Sequence, residues 1–252
     1  MSALLDLDGV AKSFGAVHSL LDVTFSTGDH GIVGLIGPNG AGKSTLINVL
    51  TGVYAPNAGT VRFGGRNLAG LSTADRARSG LVRTFQRPAP ILDLTCVQGV
   101  MVGGLVRGLS IAAAEREARD KLALLGLADV SDMPTRKLPT GHIKLLDFAR
   151  VLMLQPRLVL LDELMAGLSI NELETVQRAV EQLAGQGVCF LVIEHLMDVI
   201  RRLSQHLVVM DAGRIVAQGR PDEVVRNSAV VEAYLGDEGA DTAAAGAGAG
   251  HA

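Results

Sequence analysis

The chain has 252 residues, 48% hydrophobic and 19% charged, enough to bury a sizeable core in one or two domains. Its formal net charge of −3, 3% aromatic content and lack of tryptophan give neither the basic footprint that nucleic acids require nor stacking platforms for single strands, so no nucleic acid is expected as a partner. The longest apolar runs, such as 158–161 and 188–193, are strand-sized, far below the ~20 residues that span a bilayer.

Residues 1–8 carry two acids, no basic cluster and no long apolar run, so no leader peptide is visible and a cytoplasmic location is expected. Short apolar runs at 4–10, 21–25, 31–36 and 60–63 alternate with Gly, Asn and Asp turns and predict strands. Between the third and fourth lies Gly37-Pro38-Asn39-Gly40-Ala41-Gly42-Lys43-Ser44-Thr45, followed by helix-compatible spacing up to about Gly52. Strand, glycine-rich loop and helix in that order fit the Gly-x-x-x-x-Gly-Lys-Ser/Thr pattern. Glycines let backbone N–H groups approach phosphate oxygens, the helix N-terminus adds positive potential, Lys43 neutralises the β- and γ-phosphates and Ser44 ligates Mg²⁺. The motif indicates a nucleoside triphosphate and leaves kinases, GTPases, helicases and ATP-binding-cassette proteins open.

From 87 to about 156 the composition shifts to Ala, Leu, Glu and Arg, with amphipathic spacing over 111–125, which predicts a helical subdomain. Cys96 and Cys189 lack metal-like spacing and read as buried thiols. Apolar runs at 158–162, 188–194 and 206–210, separated by helical patterns, predict a parallel α/β sheet, and 213–219 reads as part of a β-hairpin. Leu158-Val159-Leu160-Leu161-Asp162-Glu163 is a buried strand ending in two acids. Alone these could be solvated acids at a strand end; after the glycine-rich loop they suit Asp162 beside Mg²⁺ and Glu163 polarising the attacking water. From Asp237 the chain becomes Ala- and Gly-rich, a composition that predicts a disordered tail over 237–252. There is no internal repeat.

Five further segments stand in the order and spacing of an ATP-binding-cassette (ABC) ATPase, and over roughly residues 4–236 the chain resembles that family. Thr84-Phe85-Gln86 resembles the Q-loop, Leu138-Pro139-Thr140-Gly141-His142 the Leu-Ser-Gly-Gly-Gln signature, Ala166-Gly167-Leu168-Ser169 the D-loop and Val192-Ile193-Glu194-His195 the H-loop, while Lys12-Ser13-Phe14-Gly15 resembles the segment whose aromatic ring packs on adenine. The departures are Pro139 for the signature Ser, Thr140 for its first Gly, Leu164 for the Pro that usually follows the Glu, and Ser169 where many members have Asp. A helix is expected from Ile143 after the signature.

The resemblance implies an α/β fold: a P-loop NTPase core of the ABC type with a helical subdomain and an N-terminal antiparallel β part. It implies ATP and Mg²⁺ as cofactors, with nucleotide contacts from Phe14, Gly37, Pro38, Asn39, Gly40, Ala41, Gly42, Lys43, Ser44 and Thr45, and from Gly141 towards the nucleotide of a second subunit. It assigns catalysis to Glu163, His195, Gln86 and Lys43, and metal binding to Ser44, Gln86 and Asp162. The implied partners are a second ATP-binding subunit in a homo- or heterodimer, integral membrane permease subunits and a separate solute-binding protein, which place the chain on the inner face of the cell membrane. Residues 163–168, 193–199 and 231–236 look most like ATPases of branched-chain amino-acid importers. A soluble ABC ATPase and a degenerate nucleotide-binding regulatory subunit remain as alternatives.

Overall fold

The computed structural model describes residues 3–28, 31–86, 88–89, 91–230 and 232. In chain order its elements are β1 (Leu5–Phe14), β2 (Val17–Ser26), β3 (Ile32–Ile36), α1 (Lys43–Leu50), β4 (Ala58–Phe63), β5 (Arg66–Asn67), α2 (Thr73–Arg78), β6 (Leu81–Arg83), α3 (Cys96–Val106), α4 (Ile111–Leu124), α5 (Thr140–Leu152), β7 (Leu158–Asp162), α6 (Ile170–Gly185), β8 (Cys189–Ile193), α7 (Met197–Leu203), β9 (His206–Asp211), β10 (Arg214–Gly219) and α8 (Pro221–Val224). The described residues cluster into two compact units: those up to Gly70 together with those from Asp198 onward, and those between Leu71 and Met197.

In the first unit β1 is the long strand of an antiparallel sheet, paired on one side with β2 (Leu7 opposite Phe25) and on the other with β4 (Leu7 opposite Val61). Leu5, Leu7 and Val10 are fully buried. The register shifts of both ladders between Leu7 and Ala11 mark irregular pairing, which twists and bends a strand. A second group of strands holds β3 parallel to β9 (Leu35 opposite Val208) and β9 antiparallel to β10. The turn between the last two is Ala212-Gly213, both at positive φ, the form whose twist matches a hairpin. Every residue of β3 is buried, which is why the run reads as continuous apolar sequence rather than as alternation.

In the second unit β6, β7 and β8 are parallel neighbours, with Val82 opposite Val159 and Leu160 opposite Leu191. All five residues of β7 are buried, and α6 links β7 to β8 in a strand–helix–strand unit. Ser169 caps α6 by accepting the Glu172 N–H while Glu172 answers through the Ser169 N–H, a capping box. Helices α3, α4 and α5 lie between residues 96 and 152. The buried stripe of α4 is Ala114, Ala118 and Leu122, spaced by four so as to share one face; burying Leu122 alone contributes about 2 kcal/mol. Gly103 admits the side chain of Met153, whose Cβ stands 2.8 Å from where a side chain would begin.

The predicted helix over 111–125, the helix after the glycine-rich loop and the strand runs all form. The strand at 4–10 continues to Phe14, and α2 and β6 appear in a stretch to which the sequence pattern assigned no element. The tail 237–252 lies outside the described residues.

Candidate active site

The predicted site residues fall into two groups, one in each unit. In the first, β3 delivers the chain to Gly37, whose φ of 153 leaves its missing side chain directed at the Met210 carbonyl. Gly42, φ 101, is the N-cap of α1 and makes no side-chain cap; a Cβ there would lie 2.5 Å from the Ser19 carbonyl oxygen. Ala41 N–H donates to the Pro38 carbonyl at 3.2 Å. The first turn of α1 has no acidic residue, so its N–H groups and helix dipole present positive potential alone. Lys43, buried, donates through Nζ to the carbonyls of Gly37 at 2.5 Å and Pro38 at 2.8 Å. Asn39, Gly40 and Ser44 are exposed. The Thr45 hydroxyl accepts from Ser19 at 2.8 Å, which ties the loop to β2.

Phe14 ends β1 with 43% of its surface exposed, unlike a core phenylalanine. Its ring meets Tyr54 edge-on at 5.0 Å between centroids, and the Lys12 ammonium stands 5.0 Å from its centre. The sequence pattern gave no role to Tyr54, which follows α1 after a short turn; its signal was being one of two tyrosines.

In the second unit Asp162 closes β7, 8% exposed, with its N–H given to the Thr84 hydroxyl at 3.2 Å. Glu163 follows at φ 50, its N–H donated to the Ile193 carbonyl at 2.9 Å. A non-glycine residue in this region costs about 1–3 kcal/mol and persists where surrounding contacts fix it. The Glu163 carboxylate receives Gln86 Nε2 at 2.5 Å on one oxygen and meets His195 Nε2 at 2.9 Å on the other. The geometry thus brings Gln86, Glu163 and His195 together from positions 77 and 32 residues apart. A carboxylate so held is fixed in orientation, the requirement for a general base that takes a proton from a water.

The helix after the signature begins at Thr140, with Pro139 as N-cap, three residues before the expected Ile143. Proline at that position has no side-chain oxygen to accept a first-turn N–H, and no side-chain cap forms. Gly141 therefore lies in the first turn, and its missing side chain is the space taken by the Glu172 carboxylate. His142 Nε2 stands 3.8 Å from Glu172 Oε1. Burial opposes the charge on Glu172, but the Ser169 hydroxyl and N–H and the nearby His142 leave its pKa below the usual value. Ser169, at the D-loop position, thus serves as a helix cap, a task that Ser and Asp both perform.

Asp147 escaped the sequence reading. It is buried in α5, accepts the Phe85 N–H at 3.2 Å and pairs with Arg150 at 3.5 Å. Burial pushes its carboxyl above the ordinary range, against the opposing pull of Phe85 and Arg150. It anchors the chain one residue before Gln86. Its signal was an acid between the apolar Leu146 and Phe148 of a helical run.

A family model described as ABC transporter matches residues 20–166, well over half of the chain. The chain belongs to the ABC transporter family. A second model, branched-chain amino acid ATP-binding cassette transporter, matches residues 214–240 of this ABC protein. A probable branched-chain amino acid transport ATP-binding protein, LivG, of Methanocaldococcus jannaschii is 33% identical over 251 residues, spanning 93% of this chain and 98% of the relative. The high-affinity branched-chain amino acid transport ATP-binding protein BraF of Pseudomonas aeruginosa is 32% identical with the same coverage. Among solved structures, the ADP conformation of the ATP-binding cassette MJ1267 superposes with a TM-score of 0.83 at 31% identity, covering 94% of this chain and 100% of that one. The ABC ATPase fold, with its antiparallel N-terminal sheet and helical part, and a role as a transport ATP-binding subunit are what the resemblance carried by the five further segments implied. Among the described residues no helix is long and apolar enough to cross a membrane.

Proposed function

We propose that this ABC subunit hydrolyses MgATP to energise import of branched-chain amino acids or related small solutes through separate permease subunits, on the inner face of the cell membrane. The observation that carries the reading is the Glu163 carboxylate held between Gln86 and His195 at the end of a buried strand. The cargo follows the relatives, which are branched-chain amino acid transport proteins. A solute-binding protein and a second ATP-binding subunit complete the assembly.

In this reading Phe14 packs on adenine; Gly37, Pro38, Asn39, Gly40, Ala41, Gly42, Ser44 and Thr45 hold the phosphates; and Lys43 stabilises charge on the transferring group. Ser44, Gln86 and Asp162 offer hydroxyl, amide and carboxylate oxygens, a donor set suited to a hard cation; Gln86 gives its nitrogen to Glu163 and keeps its oxygen for that purpose. Bound Mg²⁺ neutralises phosphate charge. Glu163 takes the proton of the attacking water and His195 orients the pair. Gly141 and the first turn of α5 meet the nucleotide of the second subunit.

Beside the Q-loop a cavity of about 250 Å³, lined by Phe85, Val102, Val106 and Val151 with Arg83 and Arg150 among the polar groups, supports docking of a permease helix near residues 86–94. Phe85 and Val106 are 54% and 74% exposed, surface a partner would cover.

The test is Mg²⁺-dependent phosphate release by the purified chain beside Glu163→Gln, with light scattering in ATP. Hydrolysis by the wild type, lost in a variant that accumulates as an ATP-bound dimer, is the expected result. No hydrolysis and no ATP-dependent dimer would leave the regulatory-subunit reading in its place.

A further inference from the structure

The turn that carries Glu163 is gripped from two sides by residues to which the hydrolytic scheme assigns nothing. From α5, Lys144 sends its ammonium to the Glu163 carbonyl at 3.2 Å and to the Ala166 carbonyl at 2.6 Å. From the end of β8, Glu194 accepts the Met165 N–H on Oε1 at 2.6 Å. Glu194 is 1% exposed, and its Oε2 is buried without a hydrogen-bond partner.

An unpaired carboxyl oxygen in the interior is costly. A leucine at the end of this apolar strand would avoid that cost. What Glu194 supplies, and an apolar side chain could not, is an acceptor for the Met165 amide. Glu194 also directly precedes His195. The contacts therefore close a ring: Glu163 runs through the turn to Met165, Met165 bonds Glu194, and His195 returns to the Glu163 carboxylate. Glu163 itself is at φ 50, a conformation that neighbouring contacts must maintain.

We infer that Lys144 and Glu194 are positioning residues for hydrolysis: they hold the turn from Glu163 to Leu168 so that the catalytic carboxylate meets His195, and Lys144 makes that placement depend on the position of α5. Neither residue touches the reacting atoms. The inference rests on the assignment of Glu163 as the base that activates water. Displacement of the carboxylate by an ångström is enough to slow chemistry without weakening nucleotide binding.

The experiment compares Glu194→Leu, Glu194→Gln and Lys144→Met in the full chain. Steady-state phosphate release with MgATP is read alongside hydrogen exchange of the amides over residues 163–168. Glu194→Leu and Lys144→Met should each lower kcat about 10- to 100-fold, with KM for ATP changed by less than about two-fold. Glu194→Gln keeps the carbonyl acceptor and should recover kcat to within about three-fold of wild type. The Met165 amide should exchange about ten-fold faster or more in Glu194→Leu and stay protected in Glu194→Gln.

Unchanged kcat and unchanged exchange in Glu194→Leu and Lys144→Met would overturn the inference, as would Glu194→Gln proving as damaging as Glu194→Leu. Lys144→Met keeps the aliphatic stem and carries the test if Glu194→Leu does not fold. The two readings fail separately. A wild type without hydrolysis sinks the catalytic assignment, while the exchange data still decide whether the grip on the turn exists.

Discussion

The glycine-rich loop and the acidic turn after β7 are built by opposite means. The loop is local: its shape comes from Gly37 and Gly42 at backbone angles that side chains avoid, and its cation bonds carbonyls five and six residues away. The turn is non-local: Glu163 is oriented by Gln86 and His195, Met165 by Glu194, and the carbonyls of Glu163 and Ala166 by Lys144. A local device announces itself as a motif of fixed spacing. A non-local one is specified by residues scattered through the chain, each unremarkable where it stands.

Breaking the local device should cost most. In Gly37→Ala a methyl group would meet the Met210 carbonyl; we expect a loss of about 2–4 kcal/mol by urea denaturation without nucleotide, together with loss of ATP binding. A milder effect there would mean that the loop can rearrange where it abuts Met210 and is shaped by its own glycines less strictly than its motif suggests.

The non-local turn can be probed through pH. Burial, the largest cause, pushes the Glu194 carboxyl up to about 7; Glu163 and Asp162 add to the rise, while the Met165 N–H and Lys144 oppose it. Because the folded pKa lies above the unfolded one, the contribution of the neutral acid to stability is complete at low pH and is lost as pH rises through the interval up to about 7. Glu194→Gln lacks this titration. Its stability relative to wild type should therefore improve by about 2–4 kcal/mol between pH 4.5 and 8, followed by thermal or urea unfolding at each pH. A flat difference would show that Glu194 is solvated in a way its burial does not suggest.

Between the extremes stands Gly141, a motif residue whose role here is set by a distant partner. Gly141→Ala should displace the Glu172 carboxylate and cost about 1–2 kcal/mol, less when Glu172→Ala is already present. An additive double-mutant cycle would refute the contact. Smallest is Phe14→Ala, which removes the ring proposed to pack on adenine: KM for ATP should rise about five-fold, or about 1 kcal/mol, with kcat unchanged.

The same division explains what could be read from the sequence. β3, β7 and β9 were legible because strands buried on both faces are written as unbroken apolar runs, and the loop because its glycines are spaced by chemistry. The acids Asp162 and Glu163 were legible as the end of such a run. By contrast β6 has three residues and α2 six, too few for periodicity to show. Helix α3 carries Gly99, Gly103 and Gly104, which blur an apolar stripe. Asp147, Lys144 and Glu194 stayed silent because their meaning lies in backbone groups of other segments. The start of α5 moved to Thr140 because proline suits the position before a first turn, where no backbone N–H is needed.

The hydrogen bonds of Lys43 to Gly37 and Pro38 carry a thermodynamic consequence. With the Lys43 ammonium already bonded to carbonyls of the loop it serves, a phosphate that reaches it exchanges one set of acceptors for another. Binding to the loop should then register in calorimetry as a largely enthalpic event with little heat-capacity change, the mark of a preorganised receptor.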